Sequence, residues 1–88
     1  MFQIIKKKEM KRIIKFEKED CNPCLMVSEY FKTHSIAFDA INPFNNPEVA
    51  VKYKIRSVPT TLLIENGEVL MRVTGYQPNE LKSMIESL

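Results

Sequence analysis

The residues of this sequence whose types and spacing point most directly to chemistry are Cys21 and Cys24, which are separated by Asn22 and Pro23. Pro23 suits the first position of a helix, because the N–H that proline lacks would have no partner there. The dipole at a helix start favours a thiolate at Cys21 and lowers the pKa of that thiol. Cys24, one turn later, can then attack a mixed disulfide formed at Cys21. The spacing predicts a redox dithiol with Cys21 as nucleophile and Cys24 as resolving cysteine.

The cysteine pair has two other interpretations. A C-x-x-C motif can form half of a zinc site, but His34 is the only histidine and the sequence has no third cysteine, so the second half is missing. Two neighbouring cysteines can also be inert thiols. A redox pair is favoured over both, because the motif, a helix start and a strand–helix–strand context coincide.

The residues around the cysteines predict the elements that position them. A cluster of β-branched and aromatic residues at 11–17 predicts a strand that ends shortly before the motif. The apolar spacing of Cys24, Val27 and Phe31 predicts a helix over residues 22–34. Because Cys24 belongs to the apolar face of this helix, we expect it to be the less exposed of the two cysteines.

The rest of the chain continues the alternation of strands and helices. The pattern predicts a strand at 36–41, a short helix at 47–54, strands at 60–65 and 68–73, and a helix at 78–88. Asn66-Gly67 between the last two strands is a strong hairpin signal, since both turn positions need φ > 0. Residues 2–9 fit either a helical turn or an edge strand. The order predicts an α/β fold, a central mixed four-stranded sheet with helices on both faces.

Length and charge exclude several classes of protein. The 88 residues suffice for one domain, which we expect to span residues 1–88. The 13 basic and 11 acidic residues are interspersed, so nucleic acid is not an expected partner. No apolar run approaches the roughly 18 residues of a membrane span, so no membrane association is expected. The N-terminus lacks the order of a signal peptide, which favours a cytoplasmic location.

Several features together resemble the thioredoxin family over residues 11–88. They are the C-x-x-C motif after a strand, the run Ser57-Val58-Pro59-Thr60, the Asn66-Gly67 hairpin and Gly75. The resemblance implies a thioredoxin-like fold whose N-terminal part is trimmed, since only about ten residues precede the first strong strand.

The resemblance also implies a substrate groove beside the cysteines. In this family the proline of the matching run is cis and packs against the disulfide, which would be Pro59 here. The backbone of Val58 would then pair with the substrate chain, and Gly75 would form a wall of the groove. Asn22 and Pro23, between the cysteines, complete the expected substrate-binding set.

The sequence departs from the family pattern at charged positions near the motif. It has no tryptophan, and Asp20 stands where thioredoxins place one just before the first cysteine. Lys15 occupies the position of a buried aspartate beneath the second cysteine, and Ala40 that of its partner lysine. The family's buried Asp–Lys pair for handling protons is therefore absent.

Two tuning effects follow from these charges. Glu19 and Asp20 are like charges near a developing thiolate, so they should raise the pKa of the Cys21 thiol. Lys15 would lower the pKa of the Cys24 thiol if its ammonium points beneath that residue. The alternative for Lys15 is a side chain that extends its ammonium to water.

The leading functional interpretation is a thiol–disulfide oxidoreductase that reduces protein disulfides. The resemblance implies thioredoxin reductase as electron donor, ribonucleotide reductase as one client, and a monomer. Because the dithiol carries the electrons, no bound cofactor or metal is expected.

Two alternatives stay open. One is a glutaredoxin-like enzyme that uses glutathione, although the motif lacks an aromatic residue and residues 74–77 lack the acidic pair of that family. The other is a non-catalytic binding module that holds an extended peptide above Pro59.

Overall fold

Four strands and three helices form the structure of the protein, a computed structural model that describes residues 11–88. The elements in chain order are β1 (Lys11–Phe16), α1 (Asn22–Thr33), β2 (Asp39–Ile41), α2 (Pro47–Lys52), β3 (Thr60–Glu65), β4 (Glu68–Thr74) and α3 (Pro78–Glu86). The types of these elements are those that the sequence pattern predicts. The helix-or-strand question for residues 2–9 lies outside the described residues.

The strands form one mixed sheet in the order β2-β1-β3-β4. β1 is parallel to β2, as expected for a strand–helix–strand unit, and antiparallel to β3. β3 and β4 form the antiparallel hairpin, and Asn66 and Gly67 at its turn both have positive φ, 54° and 85°. The predicted mixed four-stranded sheet is confirmed.

Apolar side chains are buried on both faces of this sheet. On one face they pack with α1 and α3 in a cluster formed by Ile13, Val27, Phe31, Leu63, Val73, Leu81 and Met84. On the other face the buried residues are Ile14, Phe16, Leu62 and Ile64, and Val49 of α2 packs against them. Helices therefore cover both faces, as predicted, and β1 contributes side chains to both clusters because successive residues alternate sides.

The second strand and the ends of all three helices differ from the predicted bounds. β2 has three residues rather than the six of 36–41, because α1 ends in a turn that uses the following residues. Ser35 has φ of 57°, and the N–H of Ile36 donates to the carbonyl of Phe31 at 2.9 Å. α2 ends at Lys52 in the same way, with φ of 57° at Lys54. The first residues of the predicted strand instead lead the chain from the helix to the sheet.

None of the helices within residues 11–88 has the length and apolar character needed to cross a membrane.

Candidate active site

Cys21 and Cys24 form a disulfide at the start of α1. Their Cα atoms are 5.2 Å apart, which is within the usual range for a disulfide. Cys21 is the N-cap residue, and its Sγ accepts a hydrogen bond from the backbone N–H of Cys24 at 3.2 Å. α1 begins at Asn22, so Pro23 is its second residue rather than its first. That position is still tolerated, since the first four N–H groups of a helix have no intrahelical partner.

The two sulfur-bearing residues differ in their access to solvent. Cys21 is 8% exposed, and Cys24 is 3% exposed. The prediction that Cys24 is less exposed than Cys21 is confirmed, because Cys24 lies on the face of α1 that packs against the sheet. Asn22 and Pro23 between them are exposed. Cys21 is therefore the more accessible of the two cysteines.

Three carboxylates and one lysine line the depression at the disulfide, here named the disulfide pocket. It has a volume of about 480 Å³ and is lined by Glu17, Lys18, Glu19, Asp20, Cys21, Asn22, Cys24, Leu25 and Asn42. Glu19 and Asp20 are exposed, and Asp20 adopts the left-handed backbone conformation with φ of 54°. The thiol formed on reduction of Cys21 thus lies in an acidic surface.

The sheet register brings the Pro59 segment to the same edge as the cysteines. Phe16, the last residue of β1, pairs with Thr60, the first residue of β3. The loop that leads to Cys21 and the residue Pro59 therefore leave the sheet side by side. The Val58–Pro59 peptide bond is cis, which is the isomer that the resemblance implies, and Pro59 is buried.

Gly75 reaches this edge through β4. Thr74 pairs with Thr60 in the sheet, and the N–H of Gly75 donates to the carbonyl of Pro59 at 2.8 Å. Gly75 has φ of 79°, a conformation that residues with a side chain adopt only with strain. The structure therefore places the loop that contains Gly75 next to the loop that contains Pro59.

Lys15 is fully buried and does not extend to water. It lies on the face of β1 that α1 covers, and its Nζ donates to the carbonyl oxygen of Cys24 at 3.1 Å. The same Nζ donates a hydrogen bond to Ser28 Oγ. It also forms an ion pair with Glu17, whose side chain is 36% exposed. Of the two sequence-based interpretations, the one with the ammonium beneath Cys24 is correct.

Glu17 and Ser28 are site residues that the sequence interpretation missed. A signal for each exists in the spacing. Glu17 is two residues after Lys15, and alternate residues of an extended segment point to the same side. Ser28 is four residues after Cys24, one helical turn along α1. Ala40 lies directly opposite Lys15 on β2, so that position supplies no second charge.

Within residues 11–88 no three His, Cys, Asp or Glu side chains are grouped where they could hold a metal ion.

Comparison with known proteins identifies the family of this arrangement. The thioredoxin family model matches residues 2–87. The chain belongs to the thioredoxin family. Its two cysteines, bonded in a C-x-x-C motif at a helix start, make it a thiol–disulfide oxidoreductase of that family.

Two curated thioredoxin-family relatives are similar over most of the chain. The SPbeta prophage-derived thioredoxin-like protein YosR of Bacillus subtilis is 40% identical over 78 residues, covering 88% of this chain and 98% of that protein. The thioredoxin of Mycoplasma pneumoniae is 34% identical over 73 residues, covering 77% of this chain and 72% of that protein.

Solved thioredoxin structures share the fold. The thioredoxin of Malassezia sympodialis superposes with a TM-score of 0.80 at 24% identity, covering 98% of this chain and 83% of that one. A thioredoxin mutant from Halobacterium salinarum gives 0.78 at 28% identity, covering 98% of this chain and 80% of that one.

Proposed function

We propose that this protein reduces disulfides of protein clients, with Cys21 as the attacking thiolate and Cys24 as the resolving thiol. The observation that carries the proposal is the closed Cys21–Cys24 disulfide at the start of α1, with the more exposed sulfur at the N-cap. Because Cys21 is the cap residue, it meets the positive end of the helix dipole, which stabilises its thiolate.

The reaction consists of two thiol–disulfide exchanges. The Cys21 thiolate attacks one sulfur of the client disulfide, forming a mixed disulfide, and the other client sulfur leaves as a thiolate that takes up a proton. The Cys24 thiol then loses its proton and attacks Cys21. The bond between Cys21 and the client breaks, the second client thiolate leaves, and the Cys21–Cys24 disulfide closes. A reductant returns two electrons and two protons.

The substrate-binding set is Val58, Pro59, Gly75, Asn22 and Pro23. The backbone of Val58 makes no hydrogen bond to another backbone group within residues 11–88, although the strand β3 begins two residues later. It is therefore free to pair with an extended client segment in the manner of an added strand. The exposed residues Asn22 and Pro23 face the approaching client on the other side of Cys21.

The partners follow from family membership. Thioredoxins act on protein disulfides and are re-reduced by thioredoxin reductase. We assign thioredoxin reductase as the electron donor here and ribonucleotide reductase as the first client to test. The protein would act as a cytoplasmic monomer with no cofactor beyond its own dithiol.

A redox titration tests the proposed function. The protein is equilibrated against defined ratios of reduced and oxidised dithiothreitol, and its free thiols are counted. A reversible two-electron transition near the thioredoxin value of about −270 mV is expected. If no reversible intramolecular pair forms, the chain is a binding module rather than a reductase. Re-reduction by glutathione but not by thioredoxin reductase with NADPH would favour the glutaredoxin-like alternative.

Lys15→Met should raise the pKa of the Cys24 thiol, because the buried ammonium that favours the thiolate is lost. Methionine is one atom shorter than lysine but close to it in volume, and Glu17 is exposed enough to be solvated without its partner. The measurement is thiolate absorbance against pH in a Cys21→Ser background, where Cys24 is the single thiol.

The control for this change is Lys32→Met, at an exposed position in the last turn of α1. It removes one positive charge at the opposite end of α1 from Cys24. Identical Cys24 titrations in the Lys15 variant and in this control would contradict a tuning role for Lys15.

Asp20→Asn should lower the pKa of the Cys21 thiol slightly, since an exposed like charge is removed from beside the thiolate. Asparagine accepts the left-handed conformation of this position, so the loop is retained. The measurement is the rate of Cys21 alkylation against pH in a Cys24→Ser background. The difference should shrink at high salt; a salt-independent difference would mean that loop geometry, not charge, is the cause.

A further inference from the structure

A second depression adjoins the disulfide pocket and is here named the Val58 groove. It has a volume of about 410 Å³ and is lined by Lys18, Pro43, Phe44, Ile55, Arg56, Ser57 and Val58. Lys18 also lines the disulfide pocket, so the two depressions lie side by side. Because Val58 lines the groove, a client chain that pairs with Val58 and reaches Cys21 would contact it.

The charges of the two depressions are opposite in sign. The charged side chains that line the Val58 groove are Lys18 and Arg56, and both residues are exposed. Neither forms an ion pair with a carboxylate of residues 11–88. The disulfide pocket shares Lys18 but is also lined by Glu17, Glu19 and Asp20, so carboxylates outnumber cations there. A chain that crosses the site meets negative charge at the cysteines and positive charge beyond Val58.

An exposed aromatic ring completes the groove. Phe44 is 78% exposed, although burial of such a side chain is worth about 1.5–3 kcal/mol. Its loop is held by its own hydrogen bonds. The Phe44 N–H donates to Asn42 Oδ1 at 2.9 Å, and Asn46 Nδ2 donates to the Asn42 carbonyl at 3.0 Å. The ring is thus held at the surface beside two cations.

We propose that the Val58 groove selects client segments that carry carboxylate side chains and an apolar residue on one side of the reacting cysteine. The carboxylates pair with Lys18 and Arg56, and the apolar residue covers Phe44 and Ile55. Complementary charge of this kind accelerates association and discriminates against partners of the wrong sign. The inference rests on the proposed function, because it names the class of client that the same site prefers.

The test uses peptides with a single cysteine in a disulfide to thionitrobenzoate, whose release is followed by absorbance. The peptides share one apolar residue and differ at two flanking positions, which are Glu, Gln or Lys, placed before or after the cysteine. The reduced Cys21 thiolate attacks the peptide sulfur, thionitrobenzoate leaves, and Cys24 then releases the peptide thiol. For one of the two placements, the Glu peptide should react about tenfold faster than the Lys peptide at low salt. The ratio should approach one as salt screens the charges.

Two double variants test whether the Val58 groove causes the faster reaction of the Glu peptide. In the double variant Lys18→Gln and Arg56→Gln, the ratio of Glu to Lys peptide rates should fall below about two. A ratio is used because any change in Cys21 reactivity affects both peptides equally. The control is the double variant Lys32→Gln and Lys82→Gln, which changes the net charge equally at exposed positions that line neither depression. It should keep the tenfold ratio.

Three results would overturn the inference: equal rates for the Glu and Lys peptides, a preference for the Lys peptide, or an equal loss of preference in the control variant. The last would show a general effect of net charge. Failure of the proposed function looks different, because then even the uncharged Gln peptide would not be released as a free thiol with closure of the Cys21–Cys24 disulfide.

Discussion

Cys21→Ser is expected to abolish the reduction of protein disulfides, lowering the rate to that measured without the protein. The reason is that a serine hydroxyl stays protonated at neutral pH and forms no mixed disulfide, so the first exchange is lost. Insulin reduction in the presence of dithiothreitol measures the effect. The fold should persist, because the change replaces one atom at the N-cap, where serine is itself a preferred residue.

Cys24→Ser is the matched variant that separates the two roles. It should also lose turnover, but it should retain the client as a covalent mixed disulfide on Cys21, because the resolving thiol is missing. The adduct is detected by non-reducing electrophoresis and disappears on treatment with dithiothreitol. If Cys21→Ser captures clients and Cys24→Ser does not, the assignment of nucleophile and resolving cysteine is reversed.

Phe31→Ala is expected to lower the free energy of unfolding by about 3–5 kcal/mol. Phe31 is fully buried on the inner face of α1, and its ring centroid lies 5.4 Å from that of Phe38. The free energy of unfolding of a typical domain is only about 5–15 kcal/mol, so this loss is a large part of it. Urea unfolding followed by circular dichroism measures the change. Since Cys21 caps α1 and Cys24 lies in it, the variant should also lose reductase activity in proportion to the unfolded fraction.

Phe44→Ala is the control for this prediction, because it makes the same chemical change at a residue that is 78% exposed. Its effect on stability should stay within about 0.5 kcal/mol. Similar losses in the two variants would mean that the packing of α1 against the sheet is not the source of the stability.

The order and type of the elements could be predicted because each depends on a local pattern. The spacing of Cys24, Val27 and Phe31 is that of a helix face, and Asn66-Gly67 supplies the two positive φ values of a tight hairpin. The error at residues 36–41 has a local cause as well. Residues 36–41 have the apolar composition of a strand, but the hydrogen bond from the Ile36 N–H to the Phe31 carbonyl uses the start of this segment to end α1.

The environment of Lys15 could not be predicted from the sequence. A lysine in a strand can extend to water or lie beneath a helix, and the choice depends on what covers that face of the sheet. Here α1 covers it, and Glu17 and Ser28 provide an anion and a hydroxyl at the right positions. Taken alone, Lys15, Glu17 and Ser28 are residue types that usually lie on the protein surface.

The sequence by itself determined the chemistry of this protein: a C-x-x-C dithiol at a helix start, in a chain whose alternating elements specify a mixed α/β sheet. The tertiary structure alone decided what surrounds the dithiol. The pairing of Phe16 with Thr60 places Pro59 at the edge that holds Cys21. The same edge brings Lys18 and Arg56 into one groove. These contacts join segments about 40 residues apart, so they depend on strand register and helix packing rather than on any local pattern.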